Sequence, residues 1–377
     1  MIRAVMAGIE TPRDDDVVPN DRFRVLCVDG GGIRGLIPAL VLADVERRLQ
    51  EGAGPDARLA DYFHMFAGTS TGGLVALSLT VPDLPSRPDR PLLTAANLAD
   101  VYTIDGPKVF HRSLLQKLRT LWGWLGPKYS PDALEQTVTD RLGTAAKLAD
   151  ALRELIVLAY DMTDREPYLF KRWRAREEEA QNRSLVDAAL STSAAPTYFP
   201  SHEVEGHALV DGGVFAANPT IAAVVEALKR RSDERPDLTP DDLLVVSIGT
   251  GLHETHYSQA EVSGWGKLGW ILPQDGEPPI LATVLGAASD GVDQWAETLL
   301  NEPQTPDLPS EEIGRGPRFY RLQIDLDPPI PMDKPSELPA LEDAARRLIA
   351  DHESELAEIA ARLLKAGPIP PDAPPGP

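Results

Sequence analysis

The chain has 377 residues, of which 42% are hydrophobic and 25% are charged, and its formal net charge is −21 at pH 7. This length provides a large core, in one big α/β domain or two smaller ones. The acidic balance excludes a nucleic acid polymer as the expected partner and long-range attraction to anionic membranes, but not a local docking patch. The single cysteine, Cys27, excludes an internal disulfide and is predicted to be a buried core thiol.

The first motif along the chain combines a strand, a glycine loop and a helix. Phe23–Val28 is apolar and predicts a short strand, Asp29–Gly35 is glycine-rich, and apolar residues at helical spacing follow. Gly30, Gly32 and Gly35 fit a dinucleotide fingerprint, but no acidic residue ends a strand at the required later distance, and the Gly-Lys-Ser/Thr of a phosphate loop is absent. Consecutive glycines also let backbone N–H groups converge on one point, and we favour this interpretation, an oxyanion loop.

A Gly-x-Ser-x-Gly motif centred on Ser70 joins the strand-like segment Tyr62–Ala67 to the helix-like segment Gly73–Leu79. This is the context of a nucleophile elbow. The residues two before and two after the serine nearly touch in such a turn, which explains Gly68 and Gly72. The serine then stands over the N-terminus of the next helix, where free N–H groups and a positive dipole favour a developing oxyanion.

The remaining chain alternates predicted strands and helices. Strands are predicted at Leu155–Tyr160, Pro167–Trp173, Ala208–Val210, Leu243–Ile248 and Phe319–Leu326, the last near a sheet edge, and helices at Leu98–Val109, Ser130–Gly143, Ser184–Leu190, Leu281–Leu300 and Leu338–Leu364. The proline-rich segment Pro82–Leu93 predicts a surface loop. The basic, aromatic stretch Arg112–Leu125 is interpreted as a partly buried helix, with a membrane-facing or lid element as the alternative. Trp265 and Trp270 are candidates for lipid contact.

Ser70 needs a group that takes its proton. His253 and His256 have the right chain order for a Ser-His-Asp triad. Asp211, at a predicted strand end before two glycines, offers a direct carboxylate base instead, provided that a dry site raises its basicity. Residue chemistry alone leaves dyad and triad open.

Four blocks of the sequence, taken together and in order, resemble the patatin-like phospholipases. They are Asp29–Gly35, Gly68–Gly72, Ser193–Phe199 and Asp211–Gly213. The resemblance implies a three-layer α/β/α fold with a mostly parallel central sheet, and lipid acyl hydrolysis by a Ser-Asp dyad without a metal or cofactor. By matching position, it implies Ser70 as nucleophile, Asp211 as base, and Gly31 and Gly32 as oxyanion donors. Supporting residues are implied at Gly30, Arg34, Gly68, Gly72 and Gly212.

The expected organisation is a flexible arm over residues 1–21, a patatin-like catalytic domain over 22–330, a helical segment packing on it over 331–366, and a mobile proline-rich tail over 367–377. With no leader or spanning run, we expect a cytoplasmic, soluble protein that contacts a phospholipid membrane surface peripherally during turnover, with an oligomer as one option. The alternatives are a soluble esterase or thioesterase, and a phospholipase effector of bacterial antiphage defence activated by a cyclic nucleotide.

Overall fold

The computed structural model describes residues 23–111, 126–229, 238–252, 257–272, 279–301 and 317–370. The predictions for the N-terminal arm, for the stretch Arg112–Leu125 and for His253 and His256 lie outside the described residues. Within the described ranges, no helix has the length and apolar character needed to cross a bilayer.

Ten strands occur in the described part of the chain. In chain order they are β1 (Phe23–Val28), β2 (Met65–Thr69), β3 (Pro82–Asp83), β4 (Arg87–Pro91), β5 (Glu154–Asp161), β6 (Glu166–Lys171), β7 (His202–Val204), β8 (His207–Asp211), β9 (Leu243–Ile248) and β10 (Phe319–Leu322). The helices are α1 (Leu36–Ala53), α2 (Thr71–Thr80), α3 (Ala95–Asp100), α4 (Gly106–Val109), α5 (Asp132–Leu142), α6 (Arg172–Glu177), α7 (Leu185–Thr192), α8 (Gly213–Ala216), α9 (Thr220–Lys229), α10 (Gln259–Ser263), α11 (Lys267–Ile271), α12 (Pro279–Leu300), α13 (Leu338–Asp351) and α14 (Glu353–Ala366).

Eight of these strands form one mixed, mostly parallel sheet in the order β10-β9-β1-β2-β5-β8-β7, with β6 also paired to β5. The strands from β10 to β5 are mutually parallel, whereas β6, β7 and β8 join antiparallel. β1 and β9 are buried along their whole length, as is typical of central parallel strands covered on both faces. The α/β class with a mostly parallel sheet is therefore confirmed, as is the edge position of β10.

Helices cover both faces of the sheet. Leu26 and Val28 belong to a core cluster shared with α1 and α2, whereas Val25 and Cys27 belong to a second cluster shared with α9 and α12. Successive side chains of a strand point to opposite faces, so β1 contributes to both cores. The result is the expected three-layer α/β/α arrangement. Cys27 is buried as predicted, and burial raises the pKa of its thiol to about 12.

The C-terminal helices pack against α1. The sequence predicts one helix over Leu338–Leu364, but the structure breaks it at His352 into α13 and α14. Each helix then buries its own apolar face in the core that includes α1. The buried residues are Leu341 and Leu348 from α13 and Leu356 and Leu363 from α14.

Two further predictions need correction. Pro82–Leu93 contains a two-stranded hairpin, β3 and β4, rather than only a loop. A two-stranded sheet has free edges on both sides, so prolines that donate no hydrogen bond are tolerated there. The strand predicted over Pro167–Trp173 runs from Glu166 to Lys171, and α6 begins at Arg172.

Candidate active site

Ser70 lies at the turn between β2 and α2. Its backbone has φ 55° and ψ −126°, a conformation that non-glycine residues rarely adopt and that recurs at functional sites. A Cβ atom on Gly68 would lie 2.1 Å from the carbonyl oxygen of Gly72, and one on Gly72 would lie 2.0 Å from that of Val28. The turn is thus as tight as the sequence predicts, and both positions require glycine.

The elbow is tied to the neighbouring strand by Thr192, the last residue of α7. Its hydroxyl accepts a hydrogen bond from the backbone N–H of Ser70 at 2.8 Å and donates one to the carbonyl oxygen of Leu158 at 2.5 Å. The sequence analysis gives no role to Thr192. No local signal could identify the contact, because it joins residues 122 positions apart.

The pairing of β5 brings Asp211 next to the elbow. Residues 156–158 of β5 pair with both β2 and β6, and Ala159 pairs with both β6 and β8. Since β6 occupies one edge of β5, both β2 and β8 must pair along the other edge. β8 therefore lies directly beyond the end of β2 on that edge. β2 ends at Thr69, opposite Leu158, and Asp211 lies opposite the next residue of β5. Ser70 and Asp211 therefore meet where the two strands abut.

The Asp211 carboxyl group is almost completely shielded from solvent, with 4% exposure. It accepts a hydrogen bond from the Gly213 backbone N–H at 2.7 Å and interacts with the Ser70 hydroxyl. Burial raises the pKa of Asp211 to about 7, even though the hydrogen bonds from Ser70 and Gly213 act in the opposite direction. A carboxylate with such a pKa is a far better proton acceptor near neutral pH than an ordinary aspartate.

The glycine loop lies beside the serine. A Cβ atom on Gly30 would lie 3.2 Å from Cβ of Ser70. The N–H groups of Gly30 and Ile33 donate to the carbonyl oxygens of Ala217 and Met332 at 2.9 and 2.8 Å. Between them, the N–H groups of Gly31 and Gly32 donate to no group among the described residues. These two donors are thus available at the position that the sequence predicts for an oxyanion hole.

Thr250 and Met332, which the sequence analysis did not identify, hold this loop in place. The Thr250 hydroxyl donates to the carbonyl oxygen of Gly30 at 2.7 Å, and a Cβ atom on Gly31 would lie 2.2 Å from it. Gly32 has φ +58°, and a Cβ atom there would lie 2.3 Å from the Met332 carbonyl oxygen. Glycine is therefore required at both positions.

A buried ionic network anchors the start of the loop. The Arg321 guanidinium, on β10, lies 2.6 Å from the Asp29 carboxylate and 2.9 Å from that of Asp293 on α12. Asn218 donates to the other oxygen of Asp293 at 2.7 Å. Burial raises the pKa of Asp29, and it raises that of Asp293 to about 6, while Arg321 acts against both shifts. The loop, the sheet edge and α12 are thus held by one set of charges.

A largely apolar cavity opens beside Ser70 and Asp211. Its apolar lining includes Ile33, Leu74, Val101, Tyr102, Val109, Phe110, Leu134, Val138, Leu142, Phe199 and Leu252. Arg34 is buried and also contributes to the lining, as do Gly30, Gly31 and Gly32. Gly212 supports the Asp211 turn, since a Cβ atom there would lie 2.5 Å from the Leu158 carbonyl oxygen. None of the five described histidines lines the cavity.

One group of residues in the described ranges has metal-ligand geometry, namely Asp161, Asp164 and His207. None of the three lines the cavity. Asp161 already binds His207 Nδ1 at 2.6 Å and accepts from the Thr163 backbone N–H at 2.8 Å. Its carboxylate is therefore satisfied by protein groups alone.

This α/β protein with a serine elbow is similar in sequence to proteins of a known family. Residues 26–224 match the family described as "Patatin-like phospholipase". The chain is 39% identical over 289 residues to "Patatin-like protein 2" of Arabidopsis thaliana, covering 71% of this chain and 70% of that protein. It is 36% identical over 300 residues to "Patatin-like protein 1" of Oryza sativa subsp. indica, covering 74% and 71%. The crystal structure of VipD from Legionella pneumophila aligns with a TM-score of 0.39 and 12% identity, covering 88% of this chain and 67% of that one.

The chain belongs to the patatin-like phospholipase family, whose members are lipid acyl hydrolases. The family assignment made from the four sequence blocks is thereby confirmed.

Proposed function

We propose that the protein hydrolyses fatty-acyl esters of phospholipids with Ser70 as nucleophile and Asp211 as general base. The observation that carries the proposal is the contact between these two residues: a buried carboxyl with a raised pKa beside a serine on a strained elbow. The apolar cavity that starts at this pair suits an acyl chain better than a polar substrate.

In the first half of the proposed reaction, Asp211 takes the hydroxyl proton while Ser70 Oγ attacks the ester carbonyl carbon. The resulting oxyanion accepts hydrogen bonds from the N–H groups of Gly31 and Gly32. Fixed donors of this kind typically contribute about a hundred- to a thousandfold each to the rate. When the tetrahedral intermediate collapses, the lysolipid alkoxide leaves with the proton from Asp211, and an acyl-serine remains.

In the second half, Asp211 takes a proton from a water molecule that attacks the acyl-serine carbonyl. The same N–H groups bind the second oxyanion. Its collapse breaks the bond to Ser70 Oγ, which recovers a proton from Asp211, and the fatty acid is released. Each residue returns to its starting state, and the balance requires no metal and no redox step.

The test is product analysis by mass spectrometry after incubation with mixed phospholipid vesicles. Wild type is expected to release fatty acid and lysolipid, whereas Ser70→Ala releases neither. Asp211→Asn is expected to lose at least about a hundredfold in rate while staying folded, because the neutral amide accepts no proton. His253→Ala and His256→Ala are the controls and are expected to keep their activity.

Wild-type activity in folded Asp211→Asn, together with loss of activity in either histidine variant, would contradict the dyad and support a triad. Release of acid only from short, water-soluble esters and never from vesicles or micelles would instead favour a soluble esterase.

A further inference from the structure

Exposed apolar side chains cluster on two neighbouring helices, α11 and the first half of α12. We call the set the docking face, and it consists of Leu268, Ile271, Leu272, Ile280 and Val284. Leu268 is 67% exposed, and α11 packs directly on α12. Most other large exposed apolar residues of the described chain are scattered, at Leu84, Leu92, Ile104, Met162 and Val225. Single exposed residues are ordinary, but a contiguous set marks an interaction surface.

The docking face adjoins the catalytic cavity through α12. Ala282, Gly286 and Ser289 follow one side of this helix and line the cavity that contains Ser70. Ile280 and Val284 lie two residues away from these positions, so they project from the opposite side of the helix and are exposed. A surface that binds the outer side of α12 is therefore separated from the cavity by one helix.

The charge pattern indicates what kind of surface fits. Residues 264–289 contain one basic residue, Lys267, and two acidic residues, Asp275 and Glu277, which both lie in the connecting segment outside the described residues. The net charge of this stretch, −1, is small in a chain with 58 acidic residues. Trp265 and Trp270 are half-buried and pack edge to face with ring centroids 5.1 Å apart. Tryptophan is enriched where a membrane meets water, because its ring is apolar and its N–H is polar.

We infer that the protein binds through the docking face to a zwitterionic phospholipid surface, which has no net charge. This binding delivers acyl chains to the cavity. The inference rests on the proposed function for its substrate. A nearly neutral apolar face provides the binding energy by inserting into the interface, whereas the net charge of −21 opposes any approach to an anionic bilayer. Recruitment is thus expected to depend on apolar contact and not on basic residues.

The binding test uses the full chain with Ser70→Ala, so that vesicles stay intact, and measures co-sedimentation with vesicles. This protein is expected to bind phosphatidylcholine vesicles, and added phosphatidylglycerol is expected to weaken binding. Adding Val284→Glu is expected to weaken binding to phosphatidylcholine by about tenfold or more, because a charge must enter the interface. Val225→Glu is the matched control, since Val225 is similarly exposed, at 42% against 48%, but lies on α9 outside the docking face.

The activity test uses Ser70 intact and separates docking from chemistry. Val284→Glu is expected to lose vesicle hydrolysis but to retain hydrolysis of a short-chain, water-soluble ester, because Val284 does not line the cavity. Leu268→Asp on α11 is expected to behave in the same way. It serves as the second variant if thermal unfolding shows that Val284→Glu is not folded.

Several outcomes would overturn the inference without touching the proposed chemistry. They are unchanged vesicle binding in both variants, stronger binding to anionic than to zwitterionic vesicles, and a wild-type dimer that Val284→Glu dissociates, which would assign the face to a second copy. Absence of fatty-acid release by the wild type from both vesicles and soluble esters would instead count against the proposed function.

Discussion

The Thr192 hydroxyl oxygen lies 2.8 Å from the backbone nitrogen of Ser70 and accepts its hydrogen bond. The same hydroxyl donates to β5, so one buried side chain connects the strained elbow to the strand along which Asp211 is aligned. The distance between Ser70 and Asp211 thus depends on a residue that belongs to neither motif.

Thr192→Val is therefore expected to misplace the serine. Removing the hydroxyl takes away the acceptor of the Ser70 N–H and a donor to the Leu158 carbonyl oxygen, which costs about 1–3 kcal/mol of unfolding free energy. We expect kcat to fall while KM changes little, measured with a soluble ester alongside chemical denaturation. Thr192→Ser keeps the hydroxyl and is expected to restore most of the rate.

A matched control for this variant is Thr80→Val. Thr80 is also fully buried, and its hydroxyl donates only within its own helix, to the Ala76 carbonyl oxygen at 2.7 Å. This variant is expected to lower stability without lowering kcat. If both variants reduce kcat equally, Thr192 has no specific positioning role.

The pH dependence of hydrolysis follows from the pKa of Asp211. Burial raises it to about 7, and the group must be ionised to accept the serine proton. We expect kcat/KM to rise about tenfold per pH unit below pH 7 and to level off above it. A rate profile with a soluble ester measures this, and a plateau extending down to pH 5 would contradict Asp211 as the base.

The same shift predicts how Asp211→Asn changes stability. The carboxyl pKa is higher in the folded chain than in the unfolded chain, so the folded state binds more protons between about pH 4 and pH 7. The free energy of unfolding of the wild type therefore falls as pH rises through this window. Asp211→Asn does not show this fall, because asparagine does not titrate. Asp211→Asn is expected to be more stable than wild type, by a few kcal/mol in order of magnitude, at pH 8 and by much less at pH 4.

Thermal unfolding of both proteins across this pH range measures the difference. A stability difference that is independent of pH would show that the carboxyl group is not desolvated in the folded state.

Arg321→Met tests the ionic network of Arg321, Asp29 and Asp293 that anchors the start of the glycine loop. The substitution leaves the buried carboxyl group of Asp29 and the partly buried one of Asp293 without their cation, and breaking a buried pair typically costs about 3–5 kcal/mol. The loss is expected to shrink at low pH, where both carboxyls become neutral. Urea unfolding at two pH values measures it.

Arg346→Met is the control for this experiment. Arg346 forms salt bridges with Asp343 and Glu342 at the exposed surface, where water screens the charges. It is expected to change stability very little. An equally small effect of Arg321→Met would show that the buried network does not hold the loop.

The local elements of this protein could be read from its sequence. Apolar runs followed by glycine placed β1 and β9, the Ser130-Pro131 start and the Gly143 stop placed α5, and an apolar face at helical spacing placed α12. Gly68 and Gly72 predicted a turn that is too tight for a side chain at either position. Where local signals were weak, as at the break near His352 or in the β3–β4 hairpin, prediction failed, since packing against α1 or a partner strand decided the outcome.

The candidate residues Ser70, Asp211, Gly31 and Gly32 were identified by motif and resemblance, but their meeting point was fixed only in three dimensions. β8 follows β2 along one edge of β5, and this places residues 70 and 211 side by side although they are 141 positions apart. Burial then raises the pKa of Asp211, which no sequence pattern encodes. Thr192, Thr250 and Arg321 act through contacts with distant backbone or charges, so only the tertiary structure could assign them. The sequence by itself determined which groups are present and how tightly the chain turns, because these depend on near neighbours. Proximity and dielectric environment depend on the whole fold.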